Sequence, residues 1–79
     1  MPSKEPPSCQ CEIFVVNNTN TPILYSLHDD FWCRVNTNSF AKITADALKT
    51  PRVKPVKKGV SLITSVTCTD KVLIVEVYN

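Results

Sequence analysis

The stretch Val60–Asn79 decides the fold: VSLITSVTC from 60 to 68, TDK from 69 to 71, and VLIVEVYN from 72 to 79. Two runs rich in β-branched residues flank three polar ones, the pattern of a β-hairpin. Side chains two apart share a strand face. The first run therefore groups Leu62, Val66 and Cys68 against Ile63, Ser65 and Thr67. The second groups Leu73, Val75 and Val77 against Val72, Ile74, Glu76 and Tyr78. Because Val72 to Val75 is apolar on both faces, this run is expected between partner strands and not at an open edge.

A first strand begins at CQCEIFVV. Cys9, Cys11, Ile13 and Val15 share one parity, Phe14 and Val16 the other, so this strand is also expected inside a sheet, beside the C-terminal hairpin. Asn17 to Pro22 (NNTNTP) carries turn chemistry. Ile23–Leu27 follows as a strand hairpinned to the first, then a turn at His28-Asp29-Asp30. Phe31–Val35 alternates, with Phe31, Cys33 and Val35 opposite Trp32 and Arg34. After a turn at residues 36–39, the segment 40–48 fits either of two patterns. Ala41, Ile43 and Ala45 fit a strand; Phe40, Ile43, Ala47 and Leu48 fit a helical face capped by Asn38 or Ser39. A strand followed by a short helical turn is the reading adopted.

The chain pass thus yields an all-β fold: a small antiparallel sandwich or barrel of five or six strands. Residues 1–8, with three prolines and both signs of charge, form a disordered N-terminal tail, and residues 9–79 form one β domain. Seventy-nine residues bury only about 60% of the surface that their unfolded chain exposes, so a staple is expected. The cysteines Cys9, Cys11, Cys33 and Cys68 contain no C-x-x-C pair, which argues against zinc and for disulfides. Cys9–Cys11 would be strained across one residue. Two pairings stay open: Cys11–Cys68 with Cys9–Cys33, or Cys9–Cys68 with Cys11–Cys33. A bridge from Cys11 to Cys68 would add roughly 4 kcal/mol.

Compartment follows from the same residues. Met1 runs straight into PSKEPPS without the apolar core of a leader, so the chain reads as a mature secreted protein with an added initiator. Asn17-Asn18-Thr19 is an acceptor triplet for N-glycosylation, expected exposed at a strand end. No apolar run reaches the ~20 residues of a membrane span.

Chemistry-bearing patterns are few. One glycine rules out glycine-rich phosphate cradles, no Ser–His–Asp order or paired catalytic carboxylates occur, and no cofactor or metal is expected. His28, the only histidine, sits in a turn triplet and reads as turn material rather than as a partner for Cys33. The notable segment is Lys49–Gly59, KTPRVKPVKKG, read as a proline-stiffened surface loop. Five of the nine basic residues fall here: Lys49, Arg52, Lys54, Lys57 and Lys58. The stretch has no acid between Asp46 and Asp70 to neutralise it, so it is a candidate contact for an acidic protein or anionic lipid. Aromatic interleaving is missing from it, which argues against nucleic acid. Trp32 is a candidate interface anchor.

A chain of this size, mostly short strands, with Cys11 opening the first strand and Cys68 late in the sequence, resembles the MAX-type effectors secreted by plant-pathogenic fungi. The resemblance implies two three-stranded antiparallel sheets pinned by a Cys11–Cys68 disulfide. It also implies a non-enzymatic virulence protein that binds host proteins through sheet edges and loops. Cys9 and Cys33, and the single clear strand after Cys68, depart from that pattern. The functional expectation is a secreted, monomeric effector module binding a target protein. The alternative is a toxin acting on anionic membranes or cell surfaces through residues 49–58.

Overall fold

In the computed structural model, which describes residues 11–79, the alternation of the two apolar runs fixes the centre of the molecule. Strand β1 is Cys11–Asn17, with Cys11, Ile13, Val15 and Asn17 buried and the alternate residues half-buried. Strand β7 is Val72–Tyr78, with Leu73, Val75 and Val77 buried. The other strands are β2 (Ile23–Ser26), β3 (Cys33–Val35), β4 (Phe40–Ala45), β5 (Arg52–Pro55) and β6 (Ile63–Thr69). Seven strands replace the expected five or six, and no helix occurs among the described residues. The expected tail 1–8 and Cys9 lie outside that range.

The strands form two sheets, ordered β4-β1-β7-β6 and β3-β2-β5. β1 and β7 both lie inside the larger sheet, as their two-sided apolar runs require. They run parallel, with Ile13 beside Leu73 and Val15 beside Val75. All other pairings are antiparallel. The resemblance implied two three-stranded antiparallel sheets; the observed division is four and three strands, with one parallel pair.

The C-terminal hairpin forms in the expected register, Val66 opposite Val75 and Cys68 opposite Leu73, closed at Asp70 in the left-handed region (φ 54°). Asp tolerates this conformation better than most residues. The segment from Phe40 takes the strand parity, with Ala41, Ile43 and Ala45 half-buried toward the core. Residues 46 and 47 are bends, so the helical turn is absent.

Two topological expectations are corrected. β2 is not hairpinned to β1; it pairs with β3 and β5 in the other sheet. The switch is made by Asn17. Its Oδ1 accepts the Thr19 N–H at 2.9 Å, a local turn, and its Nδ2 lies 2.9 Å from the Thr21 carbonyl. The same Nδ2 stands 3.1 Å from the carbonyls of Val35 and Asn36, across the sandwich. Two amide hydrogens are thus shared among three carbonyls. The chain turns into the second layer because this side chain holds it there. Asn17 is fully buried, so the expected exposed glycosylation site is corrected too: a glycan on Nδ2 has no room and would remove these bonds.

Second, residues 49–59 are not wholly loop. Arg52–Pro55 is an edge strand, and its free side is what makes proline tolerable there. The core between the sheets comprises Ile13, Val15, Leu73, Val75 and Val77 from one and Ile23 and Val35 from the other.

No disulfide joins the described cysteines to one another. Cys11, Cys33 and Cys68 include no pair at bonding distance. β7 stands between β1 and β6, so Cys11 and Cys68 are separated by two strand spacings of about 4.8 Å each, beyond the Cα span a disulfide bridges. Cys33, in the opposite sheet, is not at bonding distance from Cys11 either. Each of the two open pairings therefore loses one of its bridges; bridges to Cys9 lie outside the described residues. Cys68 does share a sheet face with Leu73, but no strand covers it and it is exposed.

Candidate binding surface

The outer face of the three-stranded sheet collects what the sequence scatters over residues 29–58. Antiparallel register sets Lys54 beside Leu24 and Leu24 beside Arg34, a cross-strand row that faces solvent. The alternate row, Val53–Tyr25–Cys33, faces the other way, and Val53 and Tyr25 pack on the core. Arg52, two residues from Lys54, shares the outer face. Lys54 Nζ lies 4.2 Å from the ring centroid of Trp32, within cation–π range. Trp32 is half-buried, and Phe31 next to it is 75% exposed.

The expected basic residues have separate fates. Arg52 Nη1 donates to Asp29 Oδ2 at 2.9 Å, so its charge is partly answered within the chain. Asp29 is presented by a left-handed turn residue (φ 65°) whose N–H donates to Ser26 Oγ at 2.8 Å. Lys49 Nζ stands 3.3 Å from His28 Nδ1. Lys57 and Lys58 are exposed beyond β5, beside Gly59, whose φ of 85° is the reason a glycine closes this turn. The structure brings Lys54, Arg52 and Trp32 to one face and leaves Lys57 and Lys58 on the following turn. It adds Arg34, whose Nε donates to Asn36 Oδ1 at 3.1 Å. Arg34 was readable only as a residue opposite Cys33 and Val35 in parity; its place beside Lys54 depends on β5 being a strand.

His28, Asp30 and Cys33 border one cleft with Tyr25, Phe31 and Ile43. His28 faces Lys49, and Cys33 is the cross-strand neighbour of Tyr25. Burial, and then Cys33, hold the Tyr25 hydroxyl above its ordinary value near 10. Among the described residues no three His, Cys, Asp or Glu side chains converge as metal ligands.

The outer face of the larger sheet is different in kind. Phe14, Val16, Phe40 and Ile74 line a shallow apolar basin edged by Glu76. Phe14 and Phe40 meet with centroids 6.2 Å apart and planes at 43°. A Lys42–Glu12 ion pair at 3.3 Å, half-exposed on both sides, lies on the same sheet face.

Comparison with known protein families, characterised proteins and solved structures finds no match to this chain.

Proposed function

We propose that this chain is a non-enzymatic binding module of the secreted-effector kind, engaging an acidic protein surface through the outer face of β3-β2-β5. The observation that carries this reading is the Arg34–Leu24–Lys54 row with Trp32 held against Lys54. Cations fixed on a sheet lose less conformational freedom on binding than cations on a loop. An aromatic anchor beside them is the composition of interface hot spots. Arg34 offers a planar donor fork to a carboxylate, while Lys54 offers a positioned point charge. Secretion was inferred from the cysteines and the Asn17 triplet; with Asn17 buried and no bridge among the described cysteines, the binding reading stands on the surface alone.

One observation favours a second reading, a toxin on anionic membranes. Phe31 is 75% exposed beside Trp32 and the cations, as an interfacial aromatic would be. The two readings separate on vesicles of phosphatidylserine in phosphatidylcholine against soluble poly-glutamate. The protein reading expects binding to poly-glutamate, with Phe31→Ser binding as wild type. Binding to vesicles alone, lost in Phe31→Ser, selects the membrane reading. Binding to neither removes both.

A further inference from the structure

Four strands end the two sheets: β4 and β6 on the larger, β3 and β5 on the smaller. An edge strand presents unpaired N–H and C=O groups, and proteins usually guard it with charge, proline or brevity. Three of these edges are guarded. β4 carries Lys42, the three-residue β3 carries Arg34, and β5 carries Arg52, Lys54 and Pro55. β6, ITSVTCT, is seven residues long with no charge and no proline, and all seven are exposed.

Its core-side residues are uncovered as well. Thr64, Val66 and Cys68 share a face with Val77, Val75 and Leu73, yet β6 contributes nothing to the buried core, and Val66 remains 47% exposed. On the opposite face Ile63 is 65% exposed.

We propose that β6 is a self-association edge, pairing antiparallel with β6 of a second copy about a two-fold axis at Val66. Charge selects this occupant. Self-pairing of β5 about Val53 would set Arg52 against Lys54, and about Lys54 would set Lys54 against itself; self-pairing of β3 would set Arg34 against Arg34, whereas β6 self-pairs with no like charges opposed. A two-fold interface must also be self-complementary. With the axis at Val66, Val66 faces its own copy, Thr64 faces Cys68, Ser65 faces Thr67, and Ile63 faces Thr69. Ser65 meets Thr67, Thr64 meets the small Cys68, the β-branched Ile63 and Thr69 meet each other, and Val66 meets its twin. The product is one continuous eight-stranded sheet. Both basic faces remain open, so the pair is bivalent, which replaces the expectation of a monomer.

The test is sedimentation equilibrium of the full chain, with disulfide trapping as its second arm. Wild type is expected at twice the 8.8 kDa chain mass. Val66→Lys, at an already exposed position, sets two ammonium groups face to face and should weaken the dimer at least about tenfold. In a chain whose Cys9 and Cys68 are serine, Val66→Cys should form an interchain disulfide on mild oxidation, because directly opposed Cα atoms lie about 4.5–5.5 Å apart. Ile63→Cys in that background should not. A wild type monomeric up to about 1 mM, the weak limit of specific association, overturns the proposal. So does a dimer untouched by Val66→Lys and untrapped by Val66→Cys.

Discussion

Asn17 Nδ2 lies 3.1 Å from the Val35 carbonyl, and this bond ties the last residue of β1 to the last residue of β3 in the opposite sheet. The same amide fixes the turn that sends the chain from one layer to the other. Removing the side chain takes this donor from the Val35 and Asn36 carbonyls and the acceptor from the buried Thr19 N–H, while the Thr21 carbonyl keeps the Thr19 hydroxyl at 2.6 Å. Asn17→Ala should therefore cost about 3–5 kcal/mol in urea unfolding, at the high end for a point substitution. A loss within about 1 kcal/mol would mean that water replaces the amide.

Burial of Asn17 also predicts the fate of the acceptor triplet. Expressed in a glycosylating host, the folded protein should carry no glycan at Asn17, as checked by mass before and after amidase treatment. A fully glycosylated, folded chain would contradict the buried position.

The two-sided apolar run of β7 is asymmetric in energy. Ile74 faces the open basin beside Phe14, whereas Ile13 on β1 is fully buried. Ile13→Ala should cost about 2–5 kcal/mol and Ile74→Ala clearly less. Equal losses would show the basin to be covered in solution.

Cys68 is exposed and joined to no other described cysteine. Under native, non-reducing conditions a maleimide should modify it, and Cys68→Ser should remove the fastest-reacting thiol. A Cys11–Cys68 disulfide peptide in a non-reducing digest would contradict the strand order, because β7 separates the two.

Tyr25 gives the pH dependence. Its hydroxyl titrates above its unfolded value near 10, because burial and Cys33 disfavour the phenolate. The folded state thus holds the proton more tightly than the unfolded state. That stability is fully present below pH ~10 and is lost as pH rises through the folded value. The gap in melting temperature between wild type and Tyr25→Phe should stay constant through neutral pH and change only above pH 10. A change between pH 6 and 8 would assign the dependence to another group.

Period-two alternation made β1 and β7 legible, because each is buried on one face and half-buried on the other. Their parallel pairing was not legible, since it depends on the whole intervening chain. Residues 18–22 carry the same turn chemistry whether they close a hairpin or switch sheets; the difference lies in where the Asn17 amide finds carbonyls. β5 was hidden by Pro51 and Pro55, which exclude a central strand and permit an edge. Missing β5 as a strand left Lys54 and Arg52 on a loop and left Arg34 out of the site. Cysteine density pointed to staples, but strand order, which no composition contains, sets Cys11 and Cys68 apart.

The basic face is tested most directly through Trp32, the only tryptophan in the chain. Its emission reports on the surface that Lys54 covers. Titration with poly-glutamate at low salt should give a saturable change in Trp32 fluorescence, and raised salt should weaken it because screening removes the charge attraction. Arg34→Ser with Lys54→Ser should weaken binding at low salt and lose most of the salt dependence, with unfolding free energy nearly unchanged. Equal affinities for wild type and the double variant at both salts, or binding without any change at Trp32, would contradict the account.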